Sequence, residues 1–119
     1  MFPHPVSIKL QTKSHKLNIE FDDGSKFNLS CEYLRVHSPS AEVKGHGPGQ
    51  SVLQIGKENV KIKQIEPVGN YAIKLIFDDG HNTGLYSWDY LYELGKNKDK
   101  KWDDYITALD DAGYKRKSK

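Results

Sequence analysis

The chain is poor in the residues that staple small proteins together or anchor them in membranes. It has one cysteine, Cys31, in 119 residues, which excludes an internal disulfide framework and a four-cysteine zinc site. No stretch approaches the roughly 18 to 20 consecutive apolar positions that a membrane-spanning helix needs. The opening Met1-Phe2-Pro3-His4-Pro5 lacks the basic and apolar regions of a secretory signal. No excess of one charge is present either: 18 basic and 16 acidic residues leave a formal net charge of +2, interspersed as on an ordinary solvated surface. These absences predict a small cytoplasmic protein, and the length suits one compact domain rather than two.

What the chain does have is aromatic. Hydrophobic residues make up only 36% of it, so seven Tyr, four Phe and two Trp must supply much of the buried area. Its main internal signal is a repeat. Leu17-Asn18-Ile19-Glu20-Phe21-Asp22-Asp23-Gly24 leads on to Leu29-Ser30-Cys31-Glu32-Tyr33-Leu34. Ile73-Lys74-Leu75-Ile76-Phe77-Asp78-Asp79-Gly80 leads, with one extra residue, to Leu85-Tyr86-Ser87-Trp88-Asp89-Tyr90-Leu91. Each copy reads as strand, tight turn, strand and short helix. Leu17, Ile19 and Phe21 alternate with polar residues, as do Tyr71, Ile73, Leu75 and Phe77. Asp-Asp-Gly supplies the turn, since the carboxylates accept nearby N–H groups and glycine tolerates positive φ. Ser30 and Ser87 stand where helix N-caps belong.

Around the repeat, Val6, Ile8 and Leu10 predict an opening strand and Val60 to Ile65 a further one, with Glu66-Pro67-Val68-Gly69-Asn70 as a turn. Trp102, Tyr105, Ile106 and Leu109 recur at helical spacing and predict an amphipathic helix ended by Gly113. The expected fold is α+β: one small domain over 1–114 with a twisted antiparallel β-sheet of about five strands. That sheet would be built from two similar hairpin-plus-short-helix units, followed by a C-terminal amphipathic helix. Residues 115–119 form a basic tail, expected to be frayed, whose only sharper use would be weak, sequence-blind contact with phosphate backbones. Dedicated nucleic-acid binding is not expected of it. The segment from His37 to Ser51, rich in Ser, Gly and Pro, has no periodicity and predicts a long loop.

Candidate chemistry is sparse. Asp22-Asp23 and Asp78-Asp79 are explained by their turns. Lys44-Gly45-His46-Gly47-Pro48-Gly49-Gln50 lacks the Lys-Ser/Thr ending of a phosphate-binding loop. Cys31 at a helix N-terminus could have a lowered pKa, but a lone cysteine there equally suits a small buried hydrophobe. The histidines are scattered, and a metal-dependent protein or enzyme using His37, His46 and His81 is the alternative reading they support. No nucleophile elbow or deaminase signature is present.

Tyr33-Leu34-Arg35-Val36-His37-Ser38-Pro39-Ser40-Ala41-Glu42-Val43, the 45–50 loop, and Asp79-Gly80-His81 with Gly84-Leu85-Tyr86-Ser87-Trp88-Asp89-Tyr90-Leu91 together resemble the DUF971 family, the gamma-butyrobetaine hydroxylase-like N-terminal domain. The resemblance runs from about Ile8 to Gly113. It implies a structural zinc held by a Cys-x-Cys-x-x-Cys run and a distant histidine. Those positions fall on Ser38, Ser40, Val43 and His81, so three of four donors are lost and no zinc, nor any other cofactor, is expected here. The hydroxylase's iron and 2-oxoglutarate domain has no counterpart in this sequence, so its catalysis is not carried over.

Other family members are fused to Mrp-type P-loop ATPases that handle iron–sulfur clusters. The resemblance therefore implies a non-catalytic binding or adaptor domain, accessory to iron–sulfur cluster or iron-enzyme assembly through a protein partner. The expected contact residues are Arg35, His37, His46, Gln50, His81 and Trp88. The plain structural reading of the same residues pairs Arg35 with a turn carboxylate and packs Trp88 into the core.

Overall fold

The computed structural model describes residues 3–40, 43 and 53–116. The elements run β1 (Pro5–Gln11), β2 (Lys16–Phe21), β3 (Lys26–Ser30), α1 (Cys31–Val36), β4 (Ile62–Val68), β5 (Ala72–Phe77), β6 (Leu85–Ser87), α2 (Trp88–Lys96) and α3 (Lys98–Asp111). The architecture is the α+β domain that the pattern predicts. Its strands, however, divide between two antiparallel three-stranded sheets, β1-β2-β3 and β4-β5-β6, where the sequence suggests one sheet. The cause is the repeat itself: each copy recruits the strand ahead of it and completes its own sheet.

The two units match closely. Both Asp-Asp-Gly turns close alike, with Phe21 N–H donating to Ser25 O at 2.8 Å and Phe77 N–H to His81 O at 2.9 Å. Gly24 and Gly80 both sit at φ +90°, a conformation open to glycine and strained for L side chains. The opening strands correspond as well. β1 slips register between Pro5 and Ser7 against β2, and β4 slips between Ile62 and Gln64 against β5. In each unit the residue left unpaired is a bulge, and in β1 it is Val6, which is 61% exposed in spite of its apolar type. β4 also runs on through Glu66, Pro67 and Val68, so the turn falls on Gly69 and Asn70 and leaves Tyr71 exposed.

Alternation puts Leu17, Ile19, Phe21 and Leu29 of the first sheet in one core cluster with Ile73, Leu75, Phe77 and Tyr86 of the second. Leu34 of α1 and Leu91 and Leu94 of α2 join them with no exposed surface. Burying each such side chain stabilises the fold by roughly 1.5–3 kcal/mol. Both short helices start as expected: Ser30 Oγ accepts from Tyr33 N–H at 3.0 Å and Ser87 Oγ from Tyr90 N–H at 3.2 Å. α3 ends at Ala112. There Gly113 N–H donates to Asp110 O and Tyr114 N–H to Leu109 O, the paired closure that a positive-φ glycine permits.

The residues after α3 are not all free of the domain. Arg116 holds Glu32 of α1 with two of its guanidinium nitrogens, one of them Nε at 2.8 Å, and lies over the Trp102 ring at 5.2 Å. The anchor was hidden in the sequence because Glu32, buried to 6% exposure, looks like any surface acid.

The units are locked to each other by reciprocal contacts. Tyr33 of α1 donates its hydroxyl to Leu94 O at the end of α2 at 2.7 Å, and Tyr90 of α2 donates to His37 O at the end of α1 at 2.5 Å. Arg35 of α1 pairs with Asp79 in the second turn, while Tyr92 of α2 donates to Asp23 in the first at 2.7 Å. Each turn is closed by the other unit's helix.

Candidate functional site

The reciprocity fails at one place, and there the sequence-predicted residues gather. The second turn presents Asp79 to α1. Its Oδ1 accepts the His81 N–H at 3.1 Å, and its Oδ2 accepts Arg35 Nε at 2.9 Å and Lys57 Nζ at 2.7 Å. Arg35, only 6% exposed, gives a second N–H to Gln54 Oε1 at 3.0 Å. Burial alone would raise the Asp79 carboxyl; the Lys57 ammonium, the His81 N–H and the Arg35 guanidinium outweigh it and hold the group down at about 2. In the first unit the equivalent Asp23, at an exposed position, accepts from the Tyr92 hydroxyl and the Ser25 N–H, with the Lys96 ammonium near enough to favour its charge.

Beyond the carboxylate lies a buried polar corner. Ser38 Oγ is 2.8 Å and Ser40 Oγ 3.3 Å from His81 Nε2, and Ser40 N–H donates to Ser38 Oγ at 3.4 Å. Ser38, Ser40 and His81 are all buried. Val43, also buried, is tied to the same segment by its N–H to Ser40 O at 3.1 Å. Gly84 lets Ser38 in, because a Cβ there would overlap Ser38 Oγ and crowd the Tyr86 ring at 3.1 Å. The first unit fills the matching place differently: the ring of Phe27 lies against Gly95, whose missing Cβ would overlap it. One corner is plugged by an aromatic ring, its counterpart by hydroxyls and an imidazole.

Four positions that the family resemblance assigns to zinc thus fall on one buried segment and the turn facing it. The donors do not suit the ion. Two neutral hydroxyls and one imidazole are a weak set for zinc, and valine offers no donor. Nor is the spacing that of ligands. Zinc bonds of about 2.0–2.3 Å at tetrahedral angles put neighbouring donors about 3.5 Å apart, whereas Ser38 Oγ and His81 Nε2 touch at 2.8 Å.

The remaining predicted residues scatter. His37 caps α1 with Nδ1 2.9 Å from Tyr33 O and packs its ring on Tyr33. Trp88 donates Nε1–H to Asn70 O at 2.8 Å, at the β4–β5 turn, and packs against the core. His46 and Gln50 lie outside the described residues, so a site combining His37, His46 and His81 has no geometry here. Among the described residues no three His, Cys, Asp or Glu side chains converge as metal ligands. Cys31 is buried, and burial pushes its thiol pKa up, overriding the helix N-terminus.

Other participants went unnoticed in the sequence. Gln54 and Lys57 sit in an aperiodic stretch that gives no signal, and Tyr105 donates to Gln54 O at 2.6 Å. A cavity of about 600 Å³ opens beside the corner, lined among others by His37, Ser38, Tyr90, Glu93, Lys101 and Tyr105. No helix among the described residues is long and apolar enough to cross a membrane.

These features define a small duplicated α+β domain with one polar corner, and comparison with known proteins gives it a family. Residues 8–92 match the family described as gamma-butyrobetaine hydroxylase-like, N-terminal, and the chain belongs to that family, also called DUF971. It is similar to a protein of unknown function of the DUF971 family from Acidithiobacillus ferrooxidans, whose crystal structure is 36% identical with a TM-score of 0.66. That match covers 77% of this chain and 92% of the other. Two solution NMR structures are also similar. One is 54% identical, TM-score 0.82, covering 97% of this chain and 86% of its own. The other is 49% identical, TM-score 0.85, covering 98% and 91%. No curated protein matches the chain.

Proposed function

We propose that the chain is a non-catalytic binding domain that serves iron–sulfur cluster or iron-enzyme assembly through protein contact, with an Mrp-type ATPase or an iron enzyme as partner. The observation that supports it is how fully the candidate reactive groups are committed to the fold. A general base needs a lone pair within reach of substrate and a pKa near the working pH. Asp79 accepts from three donors and sits at about 2. His81 Nε2 faces two serines inside the protein. The hydroxyls of Tyr33, Tyr86, Tyr90 and Tyr105 donate to backbone carbonyls, and burial raises their pKa, to about 12 for Tyr90.

What remains for function is surface held on a rigid frame. The cavity beside the corner offers Glu93, Lys101 and Asp104 around the rings of His37, Tyr90 and Tyr105, a charged rim on an aromatic floor suited to a protein segment. Membership of a family described as a hydroxylase-like N-terminal region supports a role beside a partner. The test is affinity capture with the immobilised chain from extract of its source cells, followed by calorimetry with the captured ATPase or iron enzyme. The expected result is a one-to-one complex that weakens by about tenfold with Lys101→Glu, as for a rim charge. Failure to bind either class of protein, or substrate turnover by the chain alone, overturns the reading.

A further inference from the structure

We infer that the groove between α1, α3 and the segment before β4 is a recognition site for a tyrosine-x-arginine segment of a partner protein, closed in the free chain by its own Tyr114-Lys115-Arg116. The contacts spell out the ligand. Arg116 forks onto Glu32, with Nε 2.8 Å from one carboxylate oxygen and Nη2 on the other, and its guanidinium lies over the Trp102 ring. A carboxylate fork beside an indole face selects a guanidinium over an ammonium. Two residues earlier, the Tyr114 hydroxyl donates to Glu58 Oε2 at 2.7 Å, and its ring packs on Val36, Tyr105 and Leu109.

The fold does not need this cover. Glu32 lies in the first turn of α1, and the repeat puts Asp89 at the same place in α2, where it is exposed. An acid there is favoured by the helix dipole and is at home in water. Glu32 has instead a buried seat, and a buried carboxylate demands a cation. That cation comes from outside the repeat, past Gly113, whose φ of +78° closes α3. The grip on Arg116 is through side chains, so another segment with the same groups at the same spacing satisfies the same partners. The Arg116 side chain is 35% exposed, and its release opens no strand of the core. None of Glu32, Glu58 and Trp102 lines the cavity beside Glu93 and Lys101, so this groove stands or falls independently of that cavity.

The experiment uses the full chain carrying Tyr114→Ala/Arg116→Ala and the end-blocked peptide Gly-Tyr-Lys-Arg-Lys, the sequence of residues 113–117. Calorimetry reads affinity, and the Trp102 indole N–H resonance reads location. The peptide should bind one-to-one and shift that resonance. Binding should be at least about tenfold tighter than to the natural chain, whose own segment competes at the high effective concentration of a short tether. Citrulline in place of the peptide's arginine keeps the shape and removes the charge, and should weaken binding at least about tenfold. Adding Glu32→Gln to the variant should do the same. The peptide Ser-Tyr-Ala-Arg-Ser, which keeps only the pattern, should bind with comparable affinity. Arg116→Lys, which leaves a cation beside Glu32, takes the double variant's place where amide spectra show the latter unfolded. No saturable binding to a folded variant, or binding indifferent to citrulline or to Glu32→Gln, overturns the site. Binding confined to the chain's own sequence overturns its use for another protein. Equal affinity for the natural chain overturns the closed state, as does a natural-chain dimer that Arg116→Ala dissociates, since the segment would then serve a second copy.

Discussion

Asp79→Asn should be the most informative single change in this protein. It keeps an oxygen for the His81 N–H but removes the charge that Arg35 and Lys57 share. The carboxyl is held at about 2 against an ordinary value of 3.8, and a shift of that size corresponds to about 2.4 kcal/mol at about 1.36 kcal/mol per pH unit. The Asp79 and Lys57 side chains are each about a fifth exposed, so screening reduces this to about 1–2 kcal/mol. Arg35 adds a cost, because its buried guanidinium keeps only Gln54 among the partners described above. Together the loss should be about 2 kcal/mol at pH 7. The folded-state pKa is depressed, so this stability is present in full above the unfolded value near 4 and is lost as pH falls through about 2. The assay is urea unfolding of both proteins at pH 7, 5.5 and 2.5. The gap between them should be full at the first two and visibly smaller at the third, other carboxylates cancelling in the comparison. A gap below about 0.5 kcal/mol at pH 7, the usual size of a surface change, or one that stays constant to pH 2.5, would refute the reasoning.

Arg116→Ala should lower stability by about 1–3 kcal/mol in urea titration, because it strands the buried Glu32 carboxylate, and Arg116→Lys should recover only part of the loss. Gly84→Ala forces its new methyl group against Ser38 and Tyr86 and should cost about 1–3 kcal/mol by thermal melting; a neutral result would mean the corner is looser than described. Cys31, buried with a raised thiol pKa, should react with a disulfide reagent at least about 100-fold more slowly in the folded protein than in urea.

Much of the frame was legible because its signals are local. Asp-Asp-Gly fixes a turn, Ser30 and Ser87 cap helices three residues ahead of their bonded N–H groups, and the spacing of Trp102, Tyr105 and Leu109 places α3. The kinship of β1 and β4 was not legible, since Pro5-Val6-Ser7 and Ile62-Lys63-Gln64 share a bulge but no residue types. Nor were the contacts between units, which join positions such as Tyr33 and Leu94 that no sequence window spans. At the site, Arg35 and His81 stood out, while Asp79 was read as a turn residue; the pairing of Arg35 with such a carboxylate was among the readings weighed. Gln54 and Lys57 carry no pattern, and their place around Asp79 follows only from the fold.

The reciprocal hydroxyl contacts of Tyr33 and Tyr90 have a thermodynamic consequence. Because each hairpin relies on a helix belonging to its counterpart, opening either one strips support from the other. Amide exchange in β2 and β5 should therefore report a single opening free energy, that of unfolding the entire molecule, with no intermediate in which one sheet survives alone.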